Sequence, residues 1–328
     1  MPLFNLRYDL RRPSFAKATS SQLAQAAIEQ CEWADRLGFT TVTLSEHHGS
    51  PDGYTPSPMV LGGAIAARTQ RLRILLSALI VPLHNPLRLA EDIAMLDVIS
   101  NGRVIPVVSA GYVETEFNAF GKKLSDRKQV MDEIVPFLEK AFTGEPFEWQ
   151  ERTVRVTPRP VQRPRLPIFQ GGASKAAARR AARVADYFLP TRPALFDVYR
   201  EERIKLGKPD PGPPPKGTGN FLWVAEDPDA AWEVIAPHAM HETNSYGRWM
   251  AEAGLDDEST TYKIFDDPAA LRAAGDYAIV TPDELIERAR KMGPMDFVLL
   301  HPLIGGIHPD FSWECLRLVE EKVLPALG

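Results

Sequence analysis

From residue 3 onward, short runs of apolar and β-branched residues alternate with stretches in which apolar positions recur every three or four residues. Runs of the first kind suit strands buried on both faces, and stretches of the second kind suit amphipathic helices. Their alternation predicts βα units around a parallel sheet. Eight strands are expected: Leu3–Tyr8, Thr40–Leu44, Arg73–Val81, Val104–Val108, Pro167–Gln170, Tyr187–Leu189, Asn220–Ala225 and Asp296–His301. Eight favour a closed barrel over an open sheet, so the expected fold is α/β, a (β/α)8 TIM barrel with loop insertions.

The helices carry their own punctuation. The first begins behind Ser20 or Ser21, places Leu23, Ala27, Cys31, Ala34 and Leu37 on one face, and stops at Gly38. A later one opens with Asn85 as cap and Pro86 in the first turn, turns Leu89, Ile93 and Leu96 inward, and ends before Gly102. The last, from about Phe311 to Ala326, aligns Phe311, Cys315, Val319 and Val323. Two stretches break the rhythm. Residues 143–167 hold several prolines, and residues 226–281 look helical in pieces and rich in aromatics. Both are expected as insertions in barrel loops of one domain spanning residues 1–328. The run Pro209-Asp210-Pro211-Gly212-Pro213-Pro214-Pro215-Lys216 reads as a stiff surface connector, with a polyproline ligand as the alternative.

Charge narrows the class. Thirty-eight Lys+Arg against 43 Asp+Glu give a net charge of -5, with no basic block to follow a phosphate backbone, so nucleic acid is not an expected partner. No apolar run approaches the ~18 residues that span a bilayer, and the first residues lack a signal-peptide pattern, so no membrane and a cytoplasmic location are expected. Cys31 and Cys315 sit on apolar helix faces, which favours buried thiols over a disulfide or metal ligands, and no metal site is expected.

Candidate chemistry gathers where the strands end. The second strand runs into Ser45-Glu46-His47-His48, putting a carboxylate and two imidazoles at the carboxyl end of a barrel strand, where barrel enzymes keep catalytic groups. Histidine can give and take a proton near neutrality, and a neighbouring carboxylate can fix its tautomer. Adjacent side chains on an extended segment face opposite ways, so His47 and His48 are poor joint metal ligands. Catalysis is preferred over a polar turn, with His47, Glu46 and His48 as candidates. His84 either lines the same mouth or serves as a structural hydrogen-bonder. His301, after the last strand, has a site role or a core role. After the fifth strand, Gly171-Gly172-Ala173-Ser174-Lys175 precedes a helical stretch and outlines a phosphate cradle, with Lys175, Arg179 and Arg180 adding charge. An ordinary loop-to-helix junction reads the same way.

Several segments together resemble the bacterial luciferase-like family of flavin- or deazaflavin-dependent monooxygenases and reductases. They are Ser45-Glu46-His47-His48 with Tyr54-Thr55-Pro56-Ser57-Pro58, residues 85–97 with Ser100-Asn101-Gly102-Arg103, and Glu116-Phe117-Asn118-Ala119-Phe120-Gly121. The Gly171-Gly172-Ala173-Ser174 turn and His301-Pro302-Leu303-Ile304-Gly305-Gly306 complete the set. The resemblance implies a flavin held at the carboxyl ends of the strands, with His47 on the catalytic histidine. It places Ser77 and Ala78 on a non-proline cis peptide under the flavin ring, and Arg127 and Ser174 on residues gripping its phosphate. One departure stands out: where many relatives carry an arginine for the phosphate after the fourth strand, this chain reads Ser109-Ala110-Gly111-Tyr112. Gly111, Gly171 and Gly172 join the cofactor-binding set.

The resulting expectation is a two-component monooxygenase that uses reduced FMN and O2 on a small apolar substrate, with a flavin reductase as partner. A homodimer is the assembly considered. The alternatives are hydride transfer with F420, and flavin binding without catalysis.

Overall fold

The computed structural model describes residues 1–219, 221–256 and 262–328. The chain opens with β1 (Leu3–Tyr8), α1 (Ser20–Arg36), β2 (Thr41–Leu44), α2 (Pro58–Arg68), β3 (Arg73–Ile80), α3 (Pro86–Ser100) and β4 (Val104–Ser109). It continues through α4 (Glu114–Ala119), α5 (Arg127–Ala141), β5 (Phe147–Trp149), β6 (Arg152–Val154), β7 (Phe169–Gly172), α6 (Lys175–Val184), β8 (Tyr187–Pro190) and α7 (Ala194–Lys205). The rest is β9 (Phe221–Val224), α8 (Pro228–Glu252), α9 (Pro268–Ala274), β10 (Tyr277–Val280), α10 (Pro282–Arg290), β11 (Phe297–Leu300) and α11 (Pro309–Leu318). A π turn over Val319–Val323 and a short helix then carry the last stretch to Leu327.

Local signals explain the element ends. Thr19, one residue before the expected start, caps α1 with a reciprocal bond to Gln22, and Leu23, Ala27, Cys31 and Ala34 are its buried face. Asn85 accepts the N–H groups of Leu87 and Arg88 at 3.0 and 3.2 Å, Pro86 fits the first turn, and Asn101 ends α3 in the left-handed region at φ 53°.

Two compact units form, each discontinuous in sequence: residues 1–43, 50–55 and 215–328, and residues 44–49 and 56–214. In the first, β1 and β11 run parallel, with Leu3 opposite Phe297 and Leu6 opposite Leu300. A separate parallel pair joins β9 to β10. Leu6, Leu23, Ile235, Leu300 and Leu316 are fully buried in this unit. In the second, β3, β4, β7 and β8 pair in parallel in that order, and β5 and β6 form an antiparallel hairpin. Leu76, Ile93, Val107, Phe117, Leu138 and Phe188 are fully buried there.

These pairings give an α/β fold built on parallel strands. Among the described residues they do not close eight strands into one barrel, because β9, the seventh strand expected, takes β10 as its partner in a sheet of two. The expected first residue of that strand, Asn220, lies outside the described residues. The sequence reading left Tyr277-Ala278-Ile279-Val280 inside an insertion, yet this run is apolar enough to complete the pair. The same insertion holds α8, a single helix of 25 residues rather than helical pieces. It passes through Pro237, and the buried Trp232, Ile235, Ala236 and Ala239 offset the hydrogen bond that proline removes. Both thiols are buried and unpaired, with burial pushing Cys315 up to about 12. Among the described residues no helix is long and apolar enough to cross a membrane.

Candidate active site

Leaving β2, the chain enters the second unit and presents Glu46, His47 and His48 in succession. Glu46 is buried. Its Oε1 accepts from His48 Nε2 at 2.8 Å and from His84 Nε2 at 2.7 Å, and its Oε2 accepts the N–H of Ile80 at 2.9 Å. Burial alone would raise this carboxyl, but the donors on His48, His84 and Ile80 outweigh it and hold the group at about 2 instead of 4.5.

His47 answers to a different carboxylate. Its Nδ1 lies 2.8 Å from Glu116 Oε1, and the same oxygen accepts the backbone N–H of His48 at 2.8 Å. Glu116 sits in the first turn of α4 and is 1% exposed. An ionised carboxylate only accepts, so the bond puts a proton on His47 Nδ1 and makes Nε2 of the neutral ring the acceptor. The Tyr112 ring stands edge-on to His47 at 5.9 Å, and Phe120 packs against His48 at 4.7 Å. The carboxylate beside the histidines in sequence therefore orients His48 and His84, while a residue 69 positions on orients His47. No local sequence signal pairs Glu116 with His47, which is why that role was missed.

The cofactor candidates lie in the same unit. The Ser77-Ala78 peptide is cis, and the β3–β4 register shifts between Ser77 and Leu79. Gly171 and Gly172 end β7 instead of following it, a correction to the expected strand end at Gln170. A Cβ on Gly171 would stand 3.5 Å from Val107 Cγ1 and 3.8 Å from Ala78 Cβ, so β3, β4 and β7 approach closely through small groups. Gly111 has φ +67°, and a Cβ there would fall 2.6 Å from Ile80 Cγ2, so the turn after β4 requires glycine. Its carbonyl accepts from Arg127 Nη1 at 3.3 Å, which brings the arginine at the start of α5 to that turn. Ser174 caps α6, its Oγ accepting the N–H of Ala177 at 3.2 Å. Arg180 is engaged by Asp132 at 2.6 Å, so it adds no charge to the turn, whereas Lys175 and Arg179 are exposed. Small residues at three strand ends, a helix N-terminus and a half-buried arginine fit a planar cofactor that bears a phosphate.

His301 belongs to the first unit and is fully buried. Its Nε2 is 3.7 Å from Asp9 Oδ1 and its Nδ1 is 3.5 Å from Glu242 Oε1. Arg7 reaches Glu242 at 3.2 Å, and Arg11 reaches Asp52 at 2.5 Å. The Arg11 guanidinium stacks on the rings of Tyr54, Tyr246 and Trp249 at 4.6 to 4.9 Å. Burial raises the Asp9 carboxyl, but His301, Arg11 and Arg7 bring it well below the usual carboxylate range. Asp9, Glu242 and His301 stand close enough to surround a cation. Arg7 and Arg11 already answer the carboxylates' charge, so the trio reads as a buried ion network. Asp9, Arg11 and Glu242 went unremarked in sequence because Glu242 and His301 lie far along the chain from Asp9 and Arg11.

Comparison with known proteins completes the picture. The model of the luciferase-like monooxygenase family matches residues 11–298. The oxygenase component of the flavin-dependent trigonelline monooxygenase of Acinetobacter baylyi is 29% identical over 170 residues, 50% of this chain and 48% of that protein. The chain thus spans about half the length of several curated relatives that it matches. The F420-dependent glucose-6-phosphate dehydrogenase of Microbacterium testaceum is 26% identical over 318 residues, 90% of each chain. Among solved structures, the monooxygenase RslO1 of Streptomyces bottropensis superposes with a TM-score of 0.75 at 25% identity over 100% of both chains. With most of its length matched by the family model, the chain belongs to the luciferase-like monooxygenase family.

Proposed function

We propose that this protein is the oxygenase component of a two-component flavin monooxygenase, which takes reduced FMN from a separate reductase and inserts oxygen from O2 into a small apolar substrate. The observation that carries the reading is the buried His47–Glu116 pair at the end of β2, in one unit with the Ser77-Ala78 bend and the Gly171-Gly172-Ala173-Ser174 turn. Reduced flavin, when bound, supplies the electrons that activate O2. Glu116 keeps the Nδ1 proton of His47 in place, so that Nε2 is the atom that accepts and returns a proton. Glu46 holds His48 and His84 together beside it. Arg127, Ser174 and the N-terminus of α6 grip the phosphate, Gly111, Gly171 and Gly172 let the backbone come close, and Ser77 and Ala78 support the ring.

The same proposal covers a single domain over residues 1–328 with complete (β/α)8 closure and insertions near 143–167 and 226–281. It also covers a cytoplasmic, homodimeric protein. Similarity to RslO1 over 100% of both chains supports the single domain. A second reading, hydride transfer with F420, is favoured by the relative that matches over 90% of both chains. The two separate in one experiment. A panel of small ketones, aldehydes and terpenes is supplied with reductase-generated FMN under 18O2, and the products are weighed by mass spectrometry. Label in a product is the expected result. Absence of label across the panel, together with substrate-dependent oxidation or reduction of F420, would replace the first reading with the second.

A further inference from the structure

We propose that a cleft along α8 in the first unit binds a small organic acid, with the carboxylate on Arg248 and an apolar ring against Phe15 and Trp249. None of the lining residues is among those given to the flavin, and every one belongs to the first unit. Occupancy of the cleft therefore needs no flavin.

His241, Ser245 and Arg248 recur at i, i+4 and i+7 of α8, so one face of the helix carries all three. With Phe15, Trp249, Pro13 and Pro51 they line a cavity of about 400 Å3, a size that suits a small molecule. Phe15 keeps 49% of its surface exposed, apolar area that a bound ring would cover. The polar part of the lining is unevenly matched. Both oxygens of Asp52 are taken: Oδ2 accepts from Arg11 Nη1 at 2.5 Å and from His241 Nε2 at 2.7 Å, and Oδ1 accepts from Ser50 Oγ at 2.5 Å. Arg248 answers instead to a neutral group, its Nη2 donating to Ser245 Oγ at 3.3 Å. Among the described residues no carboxylate pairs with it. A guanidinium carries several N–H groups in a planar fork, so one bond to a hydroxyl leaves the fork open to a carboxylate, and the hydroxyl keeps its own proton to donate to the same anion. One such cation beside apolar walls suits a singly charged carboxylate better than a phosphate dianion, which would call for a second.

The test is a ligand-observed NMR titration of the intact protein, without flavin, using phenylacetate and phenylacetamide, which share a ring and differ in charge. Wild type is expected to bind phenylacetate at millimolar concentration and more tightly than phenylacetamide. Arg248 is exposed and its field is partly screened, so Arg248→Ala should weaken phenylacetate by about 5- to 10-fold, leave phenylacetamide within about two-fold and erase the preference. Arg248→Lys keeps the charge without the fork and should fall between wild type and the alanine variant. Phe15→Ala should weaken both probes alike, because it removes apolar contact and no charge. Arg317→Ala removes an exposed cation of α11 outside the cleft and should leave both constants within about two-fold. Equal affinity of wild type for the two probes, no binding of either at millimolar concentration, or an Arg248→Ala effect that is absent or equal on both overturns the inference. The flavin reading is untouched by any of these results.

Discussion

Replacing Glu116 by glutamine tests the arrangement around His47 at its narrowest point. The substitution keeps shape and volume but removes the charge that accepts from His47 Nδ1 and from the His48 N–H, both at 2.8 Å. Glu116 is 1% exposed, so water cannot take its place. A hydrogen bond to a charged group contributes about 1.5–3 kcal/mol, and each 1.36 kcal/mol at the transition state is a factor of ten. If His47 works as acid and base, turnover in Glu116→Gln should fall by about 10- to 150-fold while the flavin dissociation constant stays within a few-fold. Turnover can be followed by oxygen uptake with reductase-supplied FMN. A second readout looks at the imidazole itself: long-range 15N NMR should find the proton of neutral His47 on Nδ1 in the wild type and a mixture of tautomers in the variant. Unchanged turnover together with an unchanged tautomer would refute the role given to this pair.

Other consequences follow from the same geometry. His47→Ala should lower turnover by about 10²-fold or more with flavin affinity within a few-fold, as for loss of a positioned acid/base, and intact turnover would shift the role to His48 or His301. Arg127→Ala should weaken FMN by about 1.5–3 kcal/mol and spare riboflavin; equal effects on both, or none, would take the phosphate away from Arg127. Glu46 is held at about 2 in the fold against 4.5 ordinarily. A carboxyl depressed in the folded state contributes stability above its unfolded pKa and loses it as pH falls through the folded one. Unfolding free energy should therefore drop between about pH 4.5 and 2 by something on the order of 3 kcal/mol. Glu46→Gln should lack that part of the acid profile, and denaturant titrations of both proteins that run parallel over this window would contradict it.

Much of the fold was legible because its signals are local. β1 matches the expected Leu3–Tyr8, and Asn85-Pro86 marks the start of α3 by cap chemistry alone. The four-residue strands were harder, since a short apolar run sets neither its own ends nor its partner. That is how Gly171 and Gly172 were placed after β7 and Tyr277–Val280 was passed over. The stretch read as helical in pieces holds α8, which runs unbroken through Pro237, where packing prevails over propensity. At the candidate site, strand-end position nominated Glu46, His47 and His48, and the resemblance added Ser77, Ala78 and Arg127. Which carboxylate faces which imidazole depends on where α4 lands after β4, and no periodicity encodes that. Glu116 and the Asp9–His301–Glu242 network share this property: each exists only once distant segments meet.

The account rests on a reduced flavin occupying the second unit, and its most direct test is an anaerobic binding titration of the intact protein with reduced FMN and, in parallel, with reduced F420. Saturable binding of reduced FMN at micromolar concentration, tighter than that of F420, is the predicted result. Binding of neither cofactor at that concentration would contradict the assignment of cofactor and function together.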